Sequence, residues 1–234
     1  MHIVTQDRKP RHSMAKALSL LILSIALVSG FSGCSPGETS LPTGSDLSEL
    51  TKIEIFEYEG EALNSILDFR ENSIKGPQAV DISTYRLQID GLVEQLAALT
   101  YDQVLAYENY TKMVTLHCVE GWSAKILWEG VLLKDLLDGA KVKAEANTVI
   151  FYSVDGYTTS LPLQTILDKE MIMAYKINGV VLPAERGYPF QLIAEDKLGY
   201  KWIKWINRIE LSEDADYKGY WEERGYSNEA DVDN

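Results

Sequence analysis

Two neighbouring residues carry most of the chemistry in this sequence: His117 and Cys118, within TLHCVEGWSAKILWEGVLLKDLL at residues 115–137. The chain has two cysteines, Cys34 and Cys118, and three histidines, of which His2 and His12 lie close to the N-terminus. A thiolate is both a nucleophile and a soft metal ligand. A thiol–imidazole catalytic pair is disfavoured, because neighbours on a strand point to opposite faces. The motifs HExxH, CxxC and CxxCH are absent, which removes zinc-protease, thioredoxin-like and c-type haem readings. Three readings of Cys118 remain. It is a buried, inert small hydrophobe, or the one protein ligand to a metal whose other ligands come from a cofactor, or a metal-free redox thiol, which would lack a resolving cysteine.

The N-terminus bears on where that thiol works. Basic Arg8, Lys9, Arg11 and Lys16 precede the apolar run from Ala17 to Phe31, which ends in Phe31-Ser32-Gly33-Cys34. This is the layout of an export signal over residues 1–34, and it is too short and too well bounded for a spanning helix. The last four residues resemble the lipobox of bacterial lipoproteins, with Phe31 where leucine is usual. That resemblance implies acylation of Cys34 and a protein anchored by lipid on the outer face of the cytoplasmic membrane. An ordinary signal peptide or an uncleaved anchor is the alternative. Residues 35–50, SPGETSLPTGSDLSEL, read as a flexible tether, and residues 51–234 as one folded domain with enough apolar content for a real core. With Cys34 acylated, Cys118 has no partner for an intrachain disulfide.

The formal net charge is −13, and loss of a leader carrying four basic residues and one acidic residue would take it to −16. Nucleic acid is thereby excluded as a partner. The one basic concentration is Lys197, Lys201, Lys204 and Arg208. It is the candidate site for a phosphate or an anionic substrate, with Lys204 first among the four.

The elements that must position these groups follow from periodicity and turn signals. Alternation predicts strands over Lys52–Tyr58, Thr84–Ile89, Lys112–Val119, Thr148–Val154, Met171–Ile177 and Lys204–Leu211. The third of these would present Cys118 at its end. Thr100 reads as the N-cap of a helix reaching about Tyr107, and Leu132, Leu133, Leu136 and Leu137 share one face of a helix that Gly139 stops. Residues 61–69 read as a short helix or turn, Leu163–Leu167 as a short helix, Trp128–Val131 as a turn, and Asn178-Gly179 as a hairpin. The acidic tail after Ser212 is expected to pack only through Tyr217, Tyr220 and Trp221. No regular βαβ rhythm and no Gly-rich phosphate loop are visible. The fold class is α+β, with mixed, mostly antiparallel sheets and short helices.

CVEGWS at 118–123, followed by Trp128-Glu129-Gly130-Val131-x-Leu133-x-x-Leu136-Leu137, closely resembles the molybdopterin-binding catalytic domain of the sulfite oxidase family. The resemblance runs from about Phe69 to Tyr226. Arg70-Glu71-Asn72, Asp81 to Leu87, Asp155-Gly156-Tyr157, Tyr175-x-x-Asn178-Gly179-x-x-Leu182-Pro183, Gly187-Tyr188-Pro189 and Gly199-Tyr200-Lys201-x-x-Lys204-Trp205-x-x-Arg208-Ile209 fall in family order. It implies that Cys118 ligates molybdenum beside the pterin dithiolene; Trp122 and Trp128 are read either as walls against water there or as plain core aromatics. It also implies that Asn72 and Ser153 approach the pterin, with Arg186, Gln191 and the Trp202-Ile203-Lys204 segment at its phosphate end.

Three departures stand out. Gln191 occupies the position of a usual arginine, Arg186 that of a usual histidine or asparagine, and bulky Trp202 that of a small residue. The resemblance implies an envelope oxidoreductase that moves an oxygen atom or two electrons on a small substrate, anionic or of sulfoxide type. The chain shows neither the dimerisation domain nor the haem domain of longer relatives, so electrons are expected to pass to or from a separate cytochrome or membrane quinone system. The rival reading is a cofactor-free binding or scaffolding lipoprotein that keeps the fold.

Overall fold

The computed structural model describes residues 47–232, so the leader, Cys34 and residues 35–46 of the tether lie outside the described residues. In chain order the elements are α1 (Leu47–Leu50), β1 (Glu57–Tyr58), β2 (Glu61–Ala62), β3 (Leu87–Gly91), β4 (Ala97–Leu99) and α2 (Tyr101–Leu105). There follow β5 (Asn109–His117), β6 (Ser123–Leu132), α3 (Leu133–Ala140), β7 (Thr148–Ser153), β8 (Thr158–Pro162) and α4 (Leu163–Asp168). The chain continues through β9 (Ile172–Ile177), β10 (Val180–Val181), β11 (Gln191–Ile193) and β12 (Ile206–Ser212), with 3-10 turns at Ala184–Arg186, Gly199–Lys201 and Glu222–Arg224.

One sheet has the order β10-β9-β6-β5, with β11 also on β9, and all its pairs are antiparallel. The other has the order β4-β3-β12-β7-β8, antiparallel except for the parallel pair β3–β12. The expected α+β class is thus the observed one.

A single apolar core joins the two sheets, and β9 lies at its centre with Ile172, Met173, Ala174, Tyr175 and Ile177 all buried. Helix α3 starts at Leu132 without a side-chain cap, a deficit of about 1 kcal/mol. Leu133, Leu136 and Leu137 bury essentially whole side chains against the core, about 1.5–3 kcal/mol each. Burial, not capping, decides that this helix forms. Helix α2 differs: Thr100 accepts from Gln103 N at 3.2 Å while Gln103 Oε1 accepts from Thr100 N at 2.9 Å, a complete capping box.

Several sequence expectations are corrected. Residues 52–56 turn instead of extending, and only Glu57–Tyr58 is strand. There the apolar residues face out and the acid faces in: Ile53 and Phe56 are exposed, whereas Glu54 is buried and accepts from Ser65 Oγ, Ile66 N and Asn178 Nδ2. Trp128–Val131 is the middle of β6, not a turn. Gly130 is needed because the neighbouring strand comes too close for a side chain: a Cβ there would lie 2.3 Å from the Met173 carbonyl oxygen. Gly139 lies within α3, which ends at Lys141 in the left-handed region with φ 56°.

Candidate functional site

Strands β5 and β6 form a long hairpin whose register ends at His117 opposite Ser123. The five residues between them, 118–122, make a tight loop. Cys118 N donates to Trp122 O at 2.9 Å, Gly121 N donates to Cys118 O at 3.0 Å, and Gly121 takes φ 85°. The glycine of CVEGWS thus supplies the backbone turn that only it adopts without strain, and the turn raises Cys118 off the strand end. Its thiol is half-buried and free. It opens on a cleft of about 420 Å³ between the two sheets.

Other segments complete the walls. Phe69 to Ile74 crosses in front of the hairpin, where Asn72 Nδ2 donates to Cys118 Sγ at 3.6 Å and the Phe69 ring stacks on Trp122 with centroids 6.1 Å apart. Ser153 and Asp155 come from the end of β7 and the turn after it. The stretch from Gly199 to Trp205 runs along the floor, starting beside the cysteine: a methyl on Gly199 would lie 3.4 Å from His117 O and 3.8 Å from Cys118 Cα. Every cofactor-site residue expected from the sequence faces this one cleft, namely Asn72, Cys118, Ser153, Arg186, Gln191, Trp202, Ile203 and Lys204.

Its cations Lys204 and Arg186 already have protein partners. Lys204 Nζ bonds Glu71 Oε1 at 2.5 Å and Glu185 O at 3.2 Å. Burial pulls the Lys204 ammonium pKa down, and Glu71 restores only part of that. Burial also pushes Glu71 up, but its bonds to Lys204 and Ser73 together hold it below the usual carboxylate range. Arg186 is buried over the Phe69 ring at 4.1 Å, and its Nε and Nη2 donate to Ile66 O and Phe69 O at 2.7–3.1 Å. Desolvation lowers its pKa. Arg186 thus clamps the segment that carries Asn72 to the sulfur, and the charge missing at Gln191 is only partly replaced.

The basic concentration read from sequence is not a patch. Lys201 is wholly buried against Glu222, Lys197 pairs with Asp231, and Arg208 pairs with Asp90 and Glu210. Only Lys204 reaches the cleft among these four. Trp128 is core rather than cleft wall, donating to Val114 O at 3.3 Å. The bulk of Trp202 goes partly against Trp128, with ring centroids 5.8 Å apart, while its Nε1 donates to Lys197 O at 2.8 Å. Sequence reasoning missed the cleft residues Ser73, Tyr226 and Glu185. It also missed that the tail anchors through Glu222 as well as through aromatic rings.

A buried polar atom at the cleft, Gln191 Oε1, lacks a partner. An unsatisfied buried group is costly, so it calls for a polar ligand edge. Among the described residues no group of three or more His, Cys, Asp or Glu side chains can hold a metal by itself. A lone half-buried thiol in a cleft that also holds an orphaned polar atom suits a metal that arrives with its own organic ligand.

Comparison with known proteins agrees. The family model described as oxidoreductase molybdopterin binding domain matches residues 74–221. The chain is 34% identical over 156 residues to YuiH of Bacillus subtilis, described as an uncharacterized oxidoreductase, covering 66% of this chain and 78% of that protein. It is 31% identical over 145 residues to the protein-methionine-sulfoxide reductase catalytic subunit MsrP of Gluconobacter oxydans, covering 54% of this chain and 46% of the relative. The crystal structure of the sulfane dehydrogenase SoxCD from Paracoccus pantotrophus superposes with a TM-score of 0.59 at 21% identity, over 80% of this chain and 57% of that one. That last likeness is one of fold.

Proposed function

The chain belongs to the oxidoreductase molybdopterin binding domain family, and from that premise we propose that it is a molybdenum–molybdopterin oxidoreductase that reduces a neutral organic sulfoxide. When bound, the metal and pterin supply two-electron oxygen-atom chemistry that no side chain here provides. The chain's residues hold and shape the site. Cys118 Sγ is the protein ligand, and the Asn72 amide fixes its orientation by donating to it. The stacked rings of Phe69 and Trp122 keep water from one side of the sulfur. Ser73 and Ser153 would offer hydrogen bonds to the pterin, and Gln191, Lys204, Arg186 and the Trp202-Ile203 backbone would hold its phosphate end.

The observation that carries the choice of substrate is the charge balance of the cleft. Its lining holds three cationic side chains, Arg70, Arg186 and Lys204, and three carboxylates, Glu120, Asp155 and Glu185. Glu71 adds a fourth carboxylate through its bond to Lys204, and Glu120 lies 3.6 Å from Arg70. No surplus positive charge is left to concentrate a sulfite-like dianion. A neutral sulfoxide needs none, and the MsrP relative is described as a methionine-sulfoxide reductase. In the overall change the sulfoxide takes up two protons and two electrons, its sulfur–oxygen bond breaks, and a thioether and water leave. The electrons come from a separate cytochrome or quinone-linked partner. Assay with a reduced viologen and N-acetylmethionine sulfoxide should show turnover, while sulfite with ferricyanide should show none; the reverse pattern refutes the choice.

The export signal and Cys34 support an outer-face lipoprotein, a location that would bring the domain to membrane electron carriers. Labelled palmitate should enter the wild-type chain and not Cys34→Ala. The cofactor-free binding or scaffolding reading draws support from one observation, that Lys204 and Arg186 already have protein partners. Elemental analysis separates it from the enzyme.

A further inference from the structure

Residues 222–232 lie past the last residue that the family model matches, yet together with 217–221 they form a strap built tightly onto the domain. Tyr220 N donates to Thr158 O at 2.9 Å, Leu198 N to Ala230 O at 2.7 Å, and Tyr200 Oη to Ser227 O at 2.7 Å. At the centre, Lys201 and Glu222 form a fully buried ion pair at 2.5 Å. Thr159 Oγ1 donates to the same carboxylate oxygen at 2.7 Å, and Lys201 also donates to Asn228 Oδ1 at 3.0 Å. A buried pair tolerates little displacement, because each charge is costly without its partner. The strap is therefore fixed in one geometry.

That geometry places Trp221 and Tyr226 in the cleft wall, at the cysteine end. Leu198 bridges His117, Gly199 lies against Cys118, and Tyr200 follows. The Tyr226 ring meets Tyr200 edge-on at 5.3 Å, and Trp221 meets Tyr226 at 5.1 Å. The rings are thus continuous with the loop that presents the sulfur, whereas Trp202 to Lys204 lead away toward the phosphate end. Arg224 of the strap is folded back over the Tyr220 ring at 3.6 Å. A compact oxyanion finds no charge on these two rings and only the Trp221 indole N–H and the Tyr226 hydroxyl as donors. A methyl thioether or sulfoxide finds polarisable ring faces, which sulfur and its methyl group favour.

We infer that Trp221 and Tyr226 are specificity-determining residues, which hold the carbon substituents of an organic sulfoxide beside Cys118. The inference rests on the sulfoxide reading above and adds the residues that read the substrate. In the molybdenum-loaded protein, Trp221→Ala combined with Tyr226→Ala should lower kcat/KM for N-acetylmethionine sulfoxide by about tenfold, through KM, with molybdenum content unchanged. Trp221→Phe with Tyr226→Phe should stay within about threefold of wild type, since rings are kept. An unchanged kcat/KM in the alanine pair overturns the assignment.

A second readout needs no turnover. Fluorine NMR of protein labelled with 5-fluorotryptophan gives five indole signals, of which Trp221 is the one lost in Trp221→Phe. That signal should shift saturably with N-acetylmethionine sulfoxide and not with sulfite. A signal that stays put while the enzyme reduces the sulfoxide refutes the wall and spares the activity. A shift without turnover refutes the activity and spares the wall.

Discussion

At the Cys118 end of the cleft, the thiol that faces the open space is held by local backbone geometry; at the far end the cations are held by partners distant in sequence. The thiol stands on a hairpin loop set by Gly121 and by two main-chain hydrogen bonds. Lys204 and Arg186, by contrast, are held by Glu71 and by the carbonyls of Ile66 and Phe69. The contrast teaches that the thiol end is preformed, whereas an anion arriving at the far end must share cations that already have partners. Lys201–Glu222 links the two, since the floor that it locks starts beside Cys118 and ends at Lys204.

Breaking that link has the largest expected effect. Glu222→Ala leaves Lys201 charged and buried without its partner, a loss of about 3–5 kcal/mol, which urea unfolding would register. Arg186→Met comes next. It removes charge-assisted bonds to two buried carbonyls and should cost about 2 kcal/mol. Faster hydrogen exchange should follow at residues 69–72, the segment that carries Asn72 to the sulfur.

Glu71→Gln sharpens the comparison instead of breaking it. Freed of its carboxylate, Lys204 should bind inorganic phosphate more tightly by on the order of 1 kcal/mol, seen as a larger phosphate-dependent thermal shift than in wild type. The pH dependence follows from the same pair. Glu71 titrates below its ordinary value of 4.5 in the folded protein, so its contribution to stability is present above that value and is lost as pH falls through the depressed one. Glu71→Gln should remove that acid-side portion of the stability profile.

Local rules made much of this molecule legible. Thr100 announced a capped helix start, and Asn178-Gly179 announced a hairpin whose residues both take positive φ, at 46° and 78°. Cys118, expected at the end of a strand over Lys112–Val119, stands just past β5, which stops at His117, in a loop that the alternation does not reveal. Misreadings arose where the deciding partner is distant in sequence. Gly130 looks like a turn glycine, but what requires it is the backbone of Met173 and Ala174 in the next strand. Lys197, Lys201 and Arg208 look like an anion site until Asp231, Glu222 and Asp90 come beside them. Nor does the alternation in KIEIFEY reveal that Glu54 is the buried member, since its partners Ser65 and Asn178 come from elsewhere.

The central claim is that the sulfur of Cys118 holds molybdenum in this cleft, and metal content tests it without any knowledge of substrate. Wild-type protein and Cys118→Ser, produced side by side in a host that makes the cofactor, should differ sharply by elemental analysis: stoichiometric molybdenum in the first and almost none in the second. Equal molybdenum in the two proteins, or none in either, would contradict the account.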